Sequence, residues 1–512
     1  MNEMNVVHKD FRKVELKIAL CYPNLYPAAI ACYAVQLLYG LFNSFENVQC
    51  ERFFYTPKTP PHSIESGQPL NKFDIVCFSL QFELDYMNLL EMLLNAGIPQ
   101  YANKRQSPLI IIGGPCVLEN PLPLCAFIDI AVLGDIEPIV DQLLSYLIEF
   151  KKGQKTLHDF LEIPGLFIPQ LYRDESISKL TAPKLDECYH PTAQIISDAS
   201  SFGESFLLEV TRGCPRGCRF CLIGYQGLPT RFRSLPILKE IILEGITNSK
   251  VDKITLIGSS LSDYPHLTDL CEFIVDQGLK LSLPSIRIDV ISDSLLEILK
   301  KVGVKTLTTA PEAGSNRLRS LIGKEISEDN IINGLIKCAN AKIENIKLYF
   351  LINLPKETSQ DIDDLKKLLQ RIIREAYRPY DLNLSINPFI PKPHTPFQWA
   401  PPVSVSYNQQ TIKTIQKFLK PLKIYNFEFL DPRWARIQGF LSRGSKQLGD
   451  ILVKVIANRG TLGAWRKVLK LHNISIEAAQ TFPPALEAVL PWDFIDVGVS
   501  KERLLAIYQK LF

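Results

Sequence analysis

Cys214, Cys218 and Cys221 stand at Cys-x3-Cys-x2-Cys spacing in Glu209-Val210-Thr211-Arg212-Gly213-Cys214-Pro215-Arg216-Gly217-Cys218-Arg219-Phe220-Cys221, just past a short apolar run. Three thiolates so placed can hold three corners of a cubane iron–sulfur cluster and leave the fourth iron open to a substrate or cofactor. The competing reading is a zinc site, which needs four closed ligands. Cys188, His190, His266 and Cys271 are the nearest other candidates, and none has paired spacing with this loop. Most of the remaining cysteines sit inside apolar runs, where a thiol behaves as a small hydrophobe.

The loop needs a scaffold, and the flanking pattern supplies one. Its leading strand, Phe206 to Val210, is followed by apolar runs at Lys253 to Gly258, Ile286 to Ile291, Val304 to Ala310, Ile346 to Leu351 and Leu382 to Asn387. Helical periodicity fills the gaps, and Thr358 with Asp361 reads as the N-terminal cap of one helix. Six such units predict a partial parallel (β/α)6 barrel, in which ligands bind at the carboxyl ends of the strands. That rule singles out Ser259 and Ser260 after the second strand, while Arg287 and Asp289 alternate with Ile286 and Ile288 along the third.

Upstream, Leu16 to Leu20, Asp74 to Ser79, Leu109 to Ile112 and Ile130 to Leu133 alternate with the amphipathic stretches Ala28 to Leu41 and Glu137 to Phe150. This predicts a Rossmann- or flavodoxin-like domain. Ser79 and the pair Gly113-Gly114 fall at two strand ends, where small residues let a bulky ligand approach the backbone. Prolines 164, 169, 183 and 191 break up a connecting stretch, and beyond Pro402 the pattern turns helical. The expected organisation is α/β throughout: a Rossmann-like domain at 1–160, a linker at 161–204, the barrel at 205–400 and a helical C-terminal appendage at 401–512.

The cysteine spacing, with the aromatic Phe220 ahead of the third cysteine, resembles the signature of the radical S-adenosylmethionine (SAM) superfamily. The resemblance implies a 4Fe-4S cluster whose open iron is chelated by the amino and carboxylate groups of SAM, within a partial six-stranded radical SAM barrel. Phe78-Ser79-Leu80-Gln81-Phe82-Glu83, Gly113-Gly114-Pro115, Pro311-Glu312-Ala313-Gly314-Ser315, Lys347-Leu348-Tyr349-Phe350 and the run Pro391 to Trp399 are similar to the subfamily that sets a cobalamin-binding-type domain before the barrel. On that resemblance Phe220, Ser259, Ser260, Arg287, Glu312 and Asn353 contact SAM, and Ser79, Gly113 and Gly114 contact cobalamin. Gly258-Ser259-Ser260 replaces the superfamily's frequent Gly-Gly-Glu segment, and Asn353 stands where glycine is common. The Asp-x-His-x-x-Gly motif with which many cobalamin domains ligate cobalt is missing from Cys21 to Pro27, so no histidine is expected on the metal. His394, isolated among prolines, reads as structural.

The implied activity is reductive cleavage of SAM to a 5′-deoxyadenosyl radical, serving cobalamin-dependent methylation of an unactivated carbon, with an electron donor such as flavodoxin or ferredoxin. Two alternatives stand beside it. One is cobalamin-independent radical modification of RNA, using a basic surface of Arg433, Arg436, Arg443, Lys446, Arg459, Arg466 and Lys467. The other is a non-catalytic iron–sulfur or cobalamin-binding protein. A net charge of +3 over 512 residues, with the bases spread instead of gathered in runs, gives a nucleic-acid partner no support. With a polar start and no run of about 20 apolar residues, no membrane span and a cytoplasmic location are expected.

Overall fold

The computed structural model describes residues 3–474 and 485–511, so residues 475–484 of the expected helical C-terminal part lie outside it. Near the amino terminus, β1 (Leu16–Tyr22), β2 (Val48–Phe54), β3 (Ile75–Ser79), β4 (Leu109–Gly113) and β5 (Ile130–Val132) form a parallel sheet in the order β2-β1-β3-β4-β5. Its edge is closed by antiparallel β6 (Leu166–Phe167), inside the stretch expected to be a linker. Alternate residues supply the two buried faces that a parallel sheet requires. On one face Ile18, Leu20, Ile75, Ile111 and Val132 pack on α1 (Tyr33–Asn43) and, past α2 (Asp85–Asn95) and α3 (Pro115–Glu119), on α4 (Val140–Lys151). Cys21, Val76, Phe78, Ile110 and Ile112 go the other way, onto α2 and α3. This strand order has its crossover reversal between β1 and β3, where a flavodoxin-like sheet opens a crevice.

Six further parallel strands follow: β7 (Phe206–Glu209), β8 (Lys253–Ile257), β9 (Lys280–Ser282), β10 (Thr306–Glu312), β11 (Asn345–Ile352) and β12 (Leu382–Pro388). They form two arcs, β9-β8-β7 and β10-β11-β12, the second extended by a short parallel β13 (Asn426–Glu428). Helices α5 (Leu235–Ser249), α6 (Leu267–Asp276), α7 (Asp293–Lys301), α8 (Glu328–Asn340) and α9 (Ser359–Glu375) contribute to the apolar core behind them. The capping box at α9 forms, with Thr358 N and Oγ1 both donating to Asp361 at 2.8 Å.

The third strand is not where its apolar alternation pointed. Strand β9 is Lys280–Ser282, and Ile286 to Ile291 contains a 3-10 turn at Ile288–Val290. Pro284, which has no N–H to donate, stands between the two. Ile286, Ile288 and Ile291 are apolar because they fill the barrel core, and the one backbone bond from Ile286 N to Thr308 O, 2.9 Å, bridges the arcs.

The C-terminal helices are not a separate appendage. Ile412 and Ile415 of α10 (Val405–Leu419) join the barrel core, whereas α11 (Pro432–Ser442), α12 (Leu448–Ala457) and α13 (Leu462–Leu471) bury Ile437, Leu441, Leu452 and Trp465 against the first sheet's α2–α3 face. Leu504 and Tyr508 of α14 (Lys501–Gln509) pack on Phe397 and Trp399. Buried charge joins these parts: the Lys392 ammonium, in the loop after β12, contacts Glu83 and lies 3.3 Å from Glu119 on α3, and Gln438 of α11 donates to Glu83 at 2.8 Å. Burial lowers the Lys392 pKa to about 7 and raises that of Glu119.

Candidate active site

The cysteine loop leaves the barrel at the end of β7 and returns through a two-residue antiparallel ladder that pairs Arg212 with Arg231 and Thr211 with Phe232. Gly213, at φ +86°, starts the excursion, and a Cβ there would sit 2.2 Å from the Gly227 carbonyl, so only glycine fits. Three contacts then fix the loop: Tyr225 Oη donates to Gly217 O at 2.9 Å, Arg219 N to Ile322 O at 2.9 Å, and Lys179 Nζ to Gln226 O at 2.7 Å.

All three cysteines are free and half-buried. Burial lifts the Cys218 thiol to about 11, against the pull of the nearby Lys324 ammonium and with added pressure from Cys221, Glu312 and Cys214. Burial also raises Cys221, while the backbone N–H groups of Ile223 and Gly224 oppose the rise. Desolvated thiols such as Cys218 and Cys221 become thiolates most readily around a multiply charged cation. Among the described residues the group of three or more His, Cys, Asp and Glu side chains whose ligand atoms all lie within 4.8 Å of one another is Glu83, Cys116 and Glu119, so the loop's three sulfurs are not gathered that closely. A structural zinc site needs four closed ligands, and the loop supplies three sulfurs. A cubane, which offers a separate iron to each thiolate, fits the donor set.

Glu312, the last residue of β10, sits at φ +69° and accepts a hydrogen bond from Lys324 at 3.1 Å. Burial raises its carboxyl despite that ammonium. Lys324 escaped the sequence reading: it follows a short helix more than a hundred residues from the cysteines, with no spacing to link them. Phe220 packs in the aromatic shell with Phe397 and Trp399.

Three expected SAM contacts turn out to be engaged with the protein. The Ser260 hydroxyl contacts Asp263, which also pairs with Arg216 of the cysteine loop. Arg287 is not on a strand, and its guanidinium makes a two-pronged pair with Asp289, at 3.1 and 2.7 Å, on the wall of a hollow of about 470 Å³ shared with Arg216, Gly217 and Arg219. Asn353, at φ +58°, gives its side chain to α10: Nδ2 donates to Asn408 Oδ1 at 2.6 Å and Oδ1 accepts from Thr411 Oγ1 at 3.2 Å. Its backbone N–H is taken as well, donating to Glu357 Oε1 at 2.8 Å. His394 is buried at φ +55°, and its ring is held down to about 4 by burial.

Beside the loop lies a cavity of about 370 Å³. Its inner end is apolar, between α1 and one face of the first sheet, with Leu37, Leu38, Phe42, Cys77, Ile111 and Val132 on its walls; its outer end meets Ser79, Gly113, Gly213 and Ser259. The two expected glycines differ. At Gly114 a Cβ would come within 2.4 Å of the Leu80 carbonyl, so that glycine answers to the protein's own backbone. At Gly113 a Cβ would meet nothing closer than Val132 at 3.9 Å, and the space belongs to the cavity. An apolar slot between sheet and helix, opening at strand ends, suits the flat aromatic tail of a corrinoid. No histidine lines it.

Its polar rim joins the two sheets. Arg212, one residue before Gly213, reaches Asp135 at 3.1 Å, Glu137 at 3.0 Å and Glu209 at 2.9 Å, and Arg231 reaches Asp135 at 2.5 Å. Burial acts to raise Asp135, but Arg212 and Arg231 outweigh it and hold the carboxyl below its ordinary range.

A family model described as Radical SAM proteins, N-terminal, matches residues 34–169, and one for the Radical SAM superfamily matches residues 208–369. An uncharacterized protein of Methanocaldococcus jannaschii is 34% identical over 440 residues, 86% of this chain and 91% of that one. A tRNA-2-methylthio-N(6)-dimethylallyladenosine synthase of Alcanivorax borkumensis is 23% identical over 293 residues, and the match spans 52% of this chain and 58% of that enzyme's length. Among solved structures, the radical SAM methyltransferase TsrM of Kitasatospora setae, with cobalamin and a [4Fe-4S] cluster bound, superposes with a TM-score of 0.54 at 13% identity, over 74% of this chain and 76% of that one. The cobalamin-dependent radical enzyme OxsB, with aqua-cobalamin and SAM bound, gives 0.51 at 13% identity, over 97% and 78%. At such identities the likeness is one of fold.

Proposed function

The chain belongs to the radical SAM superfamily, and from that premise we propose that it is a cobalamin-dependent member that methylates an unactivated carbon. When bound, a 4Fe-4S cluster on Cys214, Cys218 and Cys221 supplies the electron that cleaves SAM reductively to a 5′-deoxyadenosyl radical, and cobalamin supplies the methyl group. The observation that carries the corrinoid part is the apolar slot between α1 and the first sheet, which opens beside the cysteine loop.

The protein's own residues position and exclude. Lys324 stands near Cys218 and donates to Glu312, and Glu312 offers a buried carboxylate to a ribose hydroxyl or an ammonium group. Ser259 borders both the slot and the barrel's side opening, and so faces ligands of either. Phe220 and its aromatic neighbours shield the loop from water. An electron donor such as flavodoxin or ferredoxin supplies the reductant.

The test is anaerobic reconstitution with iron, sulfide and hydroxocobalamin, followed by assay of 5′-deoxyadenosine and S-adenosylhomocysteine. Retention of about one corrinoid per chain is expected, together with both products. Ala34→Phe, which grows a ring from α1 into the slot, is expected to lower corrinoid retention by tenfold or more and leave iron content unchanged. A wild-type protein that keeps iron but no corrinoid would overturn the cobalamin part alone.

A further inference from the structure

The basic residues that sequence spacing assigned to one C-terminal surface do not share a fate. Arg433 pairs with Asp431 at 2.5 Å, Arg436 is buried, and Arg443 donates to the Gln398 carbonyl at 3.4 Å. Farther on, the helical pair α12–α13 gathers a different set. Its apolar residues, among them Leu452, Val455, Trp465 and Val468, are buried in the core, and Lys454, Arg459, Arg466, Lys467 and Lys470 all stand exposed outside. From Ile451 to Ile474 there are five such cations and no carboxylate, in a chain whose whole net charge is +3.

Two contacts make one patch of these charges. Lys467 Nζ donates to Asn458 Oδ1 at 2.9 Å from α13 to the end of α12, and Lys454 Nζ lies 3.0 Å from His472 Nε2. Among the described residues no carboxylate pairs with any of the five. Elsewhere the exposed lysines of this protein are often paired, as Lys280 is with Asp252 and Lys337 with Asp293. Asp450, exposed in the first turn of α12, accepts from Tyr101 at 3.1 Å and pairs with none of them, so the five self-repelling cations remain an electrostatic footprint for a polyanion.

We propose that the outer face of α12 and α13 is a docking surface for RNA. A membrane is a poor occupant, because interfacial helices must sink an apolar face into lipid and here that face is already in the core. An acidic protein would be expected to meet an aromatic anchor pocket, and the patch presents charge instead. Duplex DNA offers the same phosphates but keeps its bases stacked in the helix, out of reach of a recessed centre. A folded RNA needs only its phosphates held, and it offers unstacked nucleotides to a recessed centre. The preference for RNA over DNA rests on the catalytic reading above; the polyanion binding does not, and is measured without cofactors.

The experiment is fluorescence anisotropy of the full-length protein with a labelled folded RNA of tRNA size, from about 50 to 200 mM salt. Five phosphate contacts predict a slope of log K against log salt near −3.5 to −4.5. The variant R466E/K467E/K470E is expected to lose at least tenfold in affinity at about 100 mM salt and to flatten the slope by about 2 to 3. K413E/K417E/K420E, an equal charge change on the exposed face of α10, is expected to stay within twofold, and circular dichroism checks that both variants fold. If the first variant misfolds, K470E alone should still reduce the slope by about 0.7 to 0.9. The proposal is overturned by equal losses in both triple variants, by absence of salt-dependent RNA binding, by equal affinity for duplex DNA of the same length, or by binding to phosphatidylglycerol vesicles in place of RNA.

Discussion

The cysteine loop and the rim that joins the two sheets both keep ionisable groups away from water, yet they balance charge differently. At the rim, Arg212 alone meets three carboxylates, Arg231 shares one of them, and Asp135 is held ionised. In the loop, burial raises two of the thiols and a single ammonium, Lys324, stands against it. A balanced buried network is complete as folded, whereas one with desolvated thiols and too little positive charge is made to receive a cation. The rim is architecture, and on the proposed function the loop is a receptor.

The strongest way to break this contrast is to remove the receptor. With Cys214, Cys218 and Cys221 all changed to alanine, iron retained after anaerobic reconstitution should fall to background, and the apoprotein should melt near the wild-type temperature because no charge network has been opened. Iron that persists in this variant would place the metal elsewhere and dissolve the distinction. The rim should behave in the opposite sense. Arg212→Met strands Glu137 and leaves Asp135 to Arg231 and Glu209 to Arg233 alone, and breaking a buried pair by removing one partner costs roughly 3 to 5 kcal/mol. Urea denaturation of the apoprotein measures it; a loss under about 1 kcal/mol would mean that the rim's charges are screened by solvent and balance nothing.

The two regions also differed in how far their sequence could be read. Cys214, Cys218 and Cys221 are local, and their spacing carries chemistry before any fold is known. Most of the parallel strands were legible for a similar reason, since they are short apolar runs, whereas β2, which carries Gln49, Glu51 and Arg52, was not read; Thr358 with Asp361 announced α9 through a three-residue relation. Arg212 was in plain view beside the cysteines, but Asp135 and Glu137 lie about 75 positions upstream in the loop between β5 and α4, and nothing local pairs them. The slot was hidden for a different reason: Leu37, Ile111 and Val132 look like any core residues, and only their failure to meet across the gap makes them a binding surface. Strand three misled because Ile286, Ile288 and Ile291 alternate for packing, after a proline has already ended the strand.

The smallest expected effect sharpens the contrast within one residue type. Asp85 at the start of α2 is buried with amide partners and no cation, accepting from Asn24 at 3.0 Å and from Asn88 at 3.4 Å, and burial raises it from 3.8 to about 7 despite those two bonds. Asp135, half-buried and flanked by two guanidinium groups, moves down. A carboxyl whose folded pKa is raised contributes stability that is fully present below its unfolded pKa and is lost as pH climbs through the folded value. Wild-type stability should therefore decline between about pH 4 and pH 7 through Asp85, while Asp135 contributes in the opposite sense, losing stability as pH falls through its depressed value. Asp85→Asn keeps the shape and removes the titration, so its unfolding free energy from urea denaturation should vary less over that interval and exceed that of wild type at pH 8 by about 2 kcal/mol. If the two proteins instead track one another at every pH, Asp85 is ionised at no cost in the fold. Burial without a cation would then not be what separates a poised carboxyl from a settled one here.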